Sequence, residues 1–216
     1  PQRIRVVLPG TDRAPMATGS APPAPLQWLC VASITPRKAH VLLVQALAEL
    51  ADRPWHLHCA GSERMDPACA AQLRAAIDAL GLGNRVTLHG ELDEAGLAKR
   101  YGAADAFVLP SLHEGYGMAL AEALARGLPI VSTRAGAIPG TVPADAGLLV
   151  APGDVQALKG ALARVMDDGA CRLQLRAGAR AARDALPDWT ESATQFALAL
   201  QSFQAAPLSS PTGPKP

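Results

Sequence analysis

Ala106-Phe107-Val108-Leu109-Pro110-Ser111-Leu112-His113-Glu114-Gly115-Tyr116-Gly117-Met118-Ala119-Leu120-Ala121-Glu122-Ala123 contains three successive kinds of pattern. Ala106 to Leu109 is a short apolar run ended by proline, which predicts a buried strand. Pro110 to Gly117 mixes proline, serine and glycine, which predicts a loop. From Gly117 to Arg126 the apolar residues recur at helical spacing until Gly127 stops them, which predicts a helix. A strand passing through a glycine loop into a helix is the repeating unit of a parallel sheet with crossover helices.

The same unit recurs on both sides. Upstream, strands are expected at Arg5 to Leu8, Leu26 to Ile34, Trp55 to Ala60 and Arg85 to His89. Pro9 to Asp12 reads as a turn and Arg13 to Pro25 as a loop rich in Pro, Ala, Gly and Ser. Thr35-Pro36 opens a helix near His40 to Asp52, and further helices are expected at Ala68 to Leu80 and Asp93 to Ala103. Downstream come strands at Pro129 to Thr133 and Gly147 to Val150, then helices at Asp154 to Asp167, Cys171 to Leu186 and Thr190 to Phe203. Residues Ala206 to Pro216 are Pro, Ser, Gly and Lys, a composition that predicts a disordered tail. The expected fold is one doubly wound parallel α/β sheet, Rossmann-like, spanning residues 1–205. Such sheets bind ligands beyond the carboxyl ends of their strands. The segments to watch are therefore Pro9-Gly10, Ser33 to Lys38, Gly61-Ser62, His89-Gly90, Pro110 to Gly117 and Thr133 to Pro139.

Composition narrows the function. The chain has 216 residues, with 20 Lys and Arg against 19 Asp and Glu. That balance argues against a nucleic-acid partner, and three Trp, two Tyr and three Phe offer few platforms for stacking bases. Cys30, Cys59, Cys69 and Cys171 have no C-x-x-C spacing and read as buried free thiols in a reducing, cytoplasmic setting. No apolar run reaches membrane-spanning length, and no signal-peptide pattern opens the chain.

The loop from Pro110 to Gly117 carries the chemistry. Amide groups and the dipole at a helix start suit a phosphate, and Gly115 and Gly117 have no side chain to block its approach. Glu114 precedes the helix and Glu122 lies inside it, where carboxylates accept hydrogen bonds from sugar hydroxyls. Such a site suits a nucleotide sugar. In the bland alternative, Glu114 caps the helix and Glu122 is solvated. A glycosidase acid–base pair is disfavoured: eight residues along one helix would separate the two by ~12 Å, against ~5 Å for a retaining pair. His56 and His58 share a strand face near Cys59, but a metal site needs three or four converging ligands and none is proposed. Ser33 and Ser111 have no recognisable hydrolase context.

The stretch Glu114 to Glu122 resembles the E-x7-E element of glycosyltransferase family 4, retaining enzymes of GT-B fold. The resemblance runs from Arg5 to about Phe203. It includes Leu8-Pro9-Gly10-Thr11-Asp12, Val31 to His40, Leu88-His89-Gly90, Ala104 to Ser111, Gly127-Leu128-Pro129-Ile130-Val131, Gly136-Ala137-Ile138-Pro139 and Ala146 to Asp154. It implies that Glu122 binds the ribose hydroxyls, Glu114 contacts the donor sugar and Lys38 neutralises the diphosphate. Glu114 and Lys38 become the catalytic pair. The donor-binding set is Gly10, Ser33, Arg37, Lys38, His89, Gly90, His113, Glu114, Gly115, Tyr116, Gly117, Met118, Ala119, Leu120 and Glu122. It further implies no cofactor and no metal, a nucleotide-diphosphate sugar as donor, and a partner N-terminal acceptor domain absent from this chain. Without that partner, the last helix would expose Phe196, Leu198 and Leu200. The whole protein would act in the cytoplasm, with peripheral association at the inner membrane face as an option.

Three positions depart from the family pattern. Ala32-Ser33 stands where the family has Gly-Arg, with Arg37 as a substitute cation. Ala39 replaces the glycine after the lysine, and Gly140 follows Gly-x-Ile-Pro where glutamate is common. A non-catalytic nucleotide-sugar-binding or interaction module therefore remains the alternative, with a nucleotide-sugar epimerase third. Asp12 and Asp105 are expected to fix a turn and the start of a strand, and the Arg172 to Arg183 cluster to be a solvated face.

Overall fold

In a computed structural model the protein is described over residues 4–21 and 24–204, so the expected tail at 206–216 lies outside the described residues. Contacts divide the chain into two compact units: residues 13–186, and residues 1–12 together with 187–216. The sheet domain expected over 1–205 thus has its body in the first of these.

That body holds six parallel strands in the order β3-β2-β1-β4-β5-β6. They are β1 Leu26–Val31, β2 Trp55–Ala60, β3 Val86–Leu88, β4 Ala106–Leu109, β5 Ile130–Thr133 and β6 Gly147–Val150. Helices cover them: α1 His40–Ala48, α2 Pro67–Ala79, α3 Glu94–Ala103, α4 Met118–Ala125, the short α5 Ile138–Thr141, α6 Val155–Asp167 and α7 Gly169–Ala185. β4 and β5 are buried along their whole length, and Trp28, Leu29, Cys30, Trp55 and Phe107 are at most 1% exposed. A strand enclosed on both faces has no solvent side, so its sequence is a continuous apolar run.

The chain order turns back between β1 and β4, which makes their carboxyl ends the switch point of the sheet. Helix starts differ around that point. Those after β2, β3 and β6 are capped by Asp66, Asp93 and Asp154, whose carboxylates accept from Cys69 N, Gly96 N and Ala157 N. α1, α4 and α5, which follow β1, β4 and β5, carry no side-chain cap. The amides left over at a helix start need partners from outside.

Several expectations change. Arg5 to Leu8 forms no strand: Ile4, Val6 and Leu8 alternate as a strand would, but they are exposed and no ladder pairs them. Alternation specifies a face, whereas a strand also needs a neighbour for its backbone groups. β1 ends at Val31 rather than Ile34, although Ala32 N and Ile34 N still donate to Ala60 O at 2.9 Å and Ser62 O at 2.8 Å. α1 ends at Ala48 rather than Asp52. Pro54 disfavours a helical conformation at Arg53, and the chain before it closes in tight turns with Leu50 N to Leu47 O 3.0 Å and Arg53 N to Leu50 O 3.1 Å. Trp55 Nε1 also donates to the Leu50 carbonyl, at 2.8 Å. α7 starts at Gly169, not Cys171, because Asp168 caps it. The arginine cluster is more than a solvated face: Arg172 donates to Val165 O at 2.6 Å and Arg183 to Ala14 O at 2.8 Å. Asp105 does secure the start of β4, accepting from Ser20 N at 2.9 Å and Gln27 N at 2.8 Å.

In the smaller unit, α8 Trp189–Gln204 leaves Phe196, Leu198 and Leu200 at least 50% exposed, as expected for its apolar stripe. Among the described residues no helix is long and apolar enough to cross a membrane.

Candidate functional site

Two loops meet at the switch point. The first follows β1 and contains a single turn of 3-10 helix, Pro36–Lys38. The second joins β4 to α4. They are stitched together by backbone, since Leu112 N donates to Arg37 O at 2.8 Å, and by a side-chain cluster around Glu114.

Glu114 lies in the loop before α4 and is only 6% exposed. Its Oε1 accepts from Lys38 Nζ and, at 2.7 Å, from Ser111 Oγ. Its Oε2 faces Arg37 at 3.3 Å, and Arg37 also donates to His113 O at 2.7 Å. Burial alone would raise the Glu114 carboxyl, but Lys38, Ser111 and Arg37 outweigh it and hold the group below its ordinary value. Glu114 does not cap α4, so that bland reading of the loop fails. Its backbone carbonyl accepts from Ala137 N at 2.9 Å, which ties the loop to the segment after β5. A Cβ on Gly136 would sit 2.2 Å from that carbonyl, and Gly136 has φ +57°, so the contact requires glycine.

At the start of α4, Gly117 takes φ 89°, a left-handed cap that glycine adopts freely. Leu120 N and Ala121 N fold back on Gly117 O at 2.9 and 3.1 Å. The amides of Met118 and Ala119 precede the regular helical pattern. Gly115 borders open space, with nothing within 4 Å of the point where a Cβ would stand. His113 is exposed, Met118 is 38% exposed, and Leu120 is buried in the core. Tyr116 is half-buried, and its carbonyl accepts from Thr141 Oγ1 at 2.7 Å.

Glu122 is half-buried on α4 and is not simply solvated: its Oε2 accepts from Tyr101 Oη at 3.0 Å. Tyr101 is fully buried, stacks on Phe107 and lies under the Arg126 guanidinium at 4.2 Å. Burial, then Glu122, pushes the Tyr101 hydroxyl well above its ordinary value, so it remains a donor to Glu122. Nothing in the sequence singles out Tyr101. Neither its spacing nor its neighbours signal the contact, because α3 and α4 are separate elements.

At the β2–β3 side, Gly61 N donates to Gly90 O at 2.8 Å, and His89 N to Cys59 O at 2.8 Å. His89 pairs with His58 at 3.1 Å, and His58 reaches Gln27 Oε1 at 2.9 Å. Burial, then the neighbouring His89, pulls His58 down to about 4, and burial likewise lowers His89. Both imidazoles are therefore neutral near pH 7. His58 thus serves a structural pairing, as expected of a strand histidine. A cavity of about 340 Å³ opens here beside the carboxyl ends of β1 and β2, lined by Ser33, Gly61, Ser62, Glu91 and their neighbours. Glu91 carries no sequence signal, because no motif includes it. Two larger depressions of about 600 Å³ lie elsewhere, one near Glu49 and Lys159 and one near Arg134 and Arg164, and neither includes a residue of the β4–α4 loop.

The structure thus joins Arg37, Lys38, His113 and Glu114, and builds the loop Gly115 to Leu120 beside them. Ser33 lines the adjoining cavity. Gly10 belongs to the smaller unit, where it is buried against Trp189; a Cβ there would lie 2.5 Å from the Trp189 backbone.

A doubly wound parallel sheet binds its ligands beyond the carboxyl ends of its strands, and here the uncapped helix starts and the cation–carboxylate cluster gather at that switch point. Residues 25–168 match the family Glycosyl transferases group 1, and the chain belongs to that family. D-inositol 3-phosphate glycosyltransferase of Xylanimonas cellulosilytica is 35% identical over 153 residues, covering 70% of this chain and 36% of the relative. Sucrose-phosphate synthase from Thermosynechococcus elongatus superposes with a TM-score of 0.81 at 32% identity, covering 94% of this chain and 53% of that one. HepE of Anabaena, solved in complex with UDP and glucose, gives a TM-score of 0.74 at 24% identity, covering 82% and 48%. The fold is that of a GT-B glycosyltransferase domain. The chain spans about half, or less, of the length of these relatives.

Proposed function

We propose that this chain is the donor-binding half of a retaining glycosyltransferase of family 4, holding a nucleotide-diphosphate sugar at the β1–β4 switch point. The observation that carries the reading is the Lys38–Glu114–Arg37 cluster joining the two switch-point loops. Lys38 and the Met118 and Ala119 amides meet the diphosphate, so its charge needs no metal ion. Glu122, oriented by Tyr101, accepts from the ribose diol. Glu114, with His113 and the Gly115 to Leu120 backbone, reads the donor sugar. Gly90, His89 and Ser33 border the nucleoside. When the sugar–phosphate bond breaks, negative charge develops on the diphosphate, and fixed charges and dipoles directed at it lower the barrier.

The acceptor site belongs to a partner N-terminal GT-B domain, and the acceptor is a glycan or a lipid. The exposed face of α8 suits contact with such a domain. Buried free thiols fit the cytoplasm, where the complete protein would work with peripheral contact to the inner membrane face.

Calorimetric titration with UDP, GDP and ADP in metal-free buffer tests the reading, with Glu122→Ala beside the wild type. One nucleotide is expected to bind and to lose ~1–3 kcal/mol in the variant, the range for a lost hydrogen bond to a charged group. Affinity unchanged by the variant would refute the assignment of Glu122. For the complete protein, retention requires that the product keep the donor's anomeric configuration by NMR, and inversion would overturn it.

A further inference from the structure

Cys30 and Cys59 stand directly opposite each other in the β1–β2 ladder, so their side chains leave the same face of the sheet. His40, the first residue of α1, closes over them with Nε2 3.6 Å from the Cys30 sulfur. One ligand atom from each residue falls within 4.8 Å of the other two. All three residues are buried, at 0%, 3% and 1% exposure for Cys30, Cys59 and His40. The His40 ring also holds Nδ1 in the interior without a hydrogen-bond partner. A copper ion at Nε2 would leave Nδ1 as it is, so the site rests on the convergence of the two sulfurs and Nε2.

We propose that Cys30, Cys59 and His40 form a binding site for a thiophilic monovalent cation, copper(I), held by two sulfurs and one imidazole nitrogen. Soft thiolate ligands select copper(I), and imidazole is compatible with it. Zinc in a closed site requires four ligands, and among the described residues no fourth Cys, His, Asp or Glu joins the group. The two sulfurs belong to the main hydrophobic core, which keeps the site dry. Coordination of a preformed copper(I) ion displaces the thiol protons of its sulfur ligands to water, and neither metal nor sulfur changes oxidation state. His40 follows Lys38 by two residues through Ala39, so loading would also pin the start of α1 beneath the proposed diphosphate site. The site stands independently of the donor-binding proposal.

The test is anaerobic transfer of copper(I) from its bicinchoninate complex, both to the native chain and during refolding, with X-ray absorption at the copper edge. The wild type and a Cys69→Ala/Cys171→Ala double variant are expected to take up one equivalent each, in a shell of two sulfurs and one nitrogen. Cys30→Ala and Cys59→Ala, with folding checked by circular dichroism, are expected to lose that uptake. His40→Phe is expected to weaken it at least tenfold and to remove the nitrogen from the shell. A wild type that takes up no stoichiometric copper in either procedure would overturn the site. So would a sulfur-only shell in the wild type, or a zinc-loaded chain in which copper(I) cannot compete.

Discussion

Replacing Lys38 by Met is the most direct probe of the switch-point cluster. The Lys38 and Glu114 side chains are 15% and 7% exposed, so the pair is shielded from water. Arg37 is 50% exposed and stands 3.3 Å from the other oxygen, where an ion pair is worth little. Removing one partner of a buried pair costs about 3–5 kcal/mol, because the remaining charge stays buried. Here Ser111 and Arg37 keep Glu114 partly satisfied, which brings the expected loss for Lys38→Met down to about 2–3 kcal/mol. The chain should therefore remain folded at pH 7. Glu114→Gln removes the charge that Lys38 compensates, so Lys38→Met should cost less in that background. Urea unfolding of the wild type, both single variants and the double variant closes the cycle. A coupling energy of about 1–3 kcal/mol is expected for residues in one network. A coupling below about 0.5 kcal/mol would show that the two side chains do not depend on each other, and the account of the cluster would fall.

Further variants test the supports of the site. Gly136→Ala places a Cβ 2.2 Å from the Glu114 carbonyl at a φ of +57°, and should lower stability by at least about 2 kcal/mol in thermal unfolding. Ala39, at φ 57°, is the non-glycine residue with a left-handed backbone among the described residues, and Ala39→Gly should raise stability by about 0.5–1 kcal/mol in urea. Tyr101→Phe deletes the hydroxyl that holds Glu122, and should weaken nucleotide binding about fivefold, or about 1 kcal/mol, with the fold retained. The pH dependence follows from Glu114, whose folded carboxyl titrates below its ordinary value. Its contribution is complete above the unfolded value, about 4.3, and is lost as pH falls through the lower folded value. Wild-type stability should therefore drop faster in acid than that of Glu114→Gln, as read by urea midpoints between neutral and about pH 3.

The order of strands and helices was legible because each fully buried strand is a short apolar run, and the runs are separated by glycine and proline. Periodicity also located the β4–α4 loop, with Glu114, and the helix after it, with Glu122. The limits of elements were less legible where a neighbour or a cap decides them. α1 stops early because Pro54 lies ahead, and the alternating residues from Arg5 to Leu8 find no strand to pair with. Sequence likewise singled out Lys38, Glu114 and Glu122 as candidates, but not what each one touches. The Lys38–Glu114 pair joins residues 76 apart, and the Tyr101–Glu122 pair joins residues 21 apart. The spacing of Cys30, His40 and Cys59 carries no metal signature, yet strand register and the seating of α1 bring them together. Short apolar runs and helical periodicity, punctuated by glycine and proline, set most of the strands and helices, because each element answers first to its own stretch of chain. Which side chains meet depended on the tertiary arrangement: the parallel strand order 3-2-1-4-5-6 places the loops after β1 and β4 side by side, and adjacency across a sheet leaves no periodic trace along the chain.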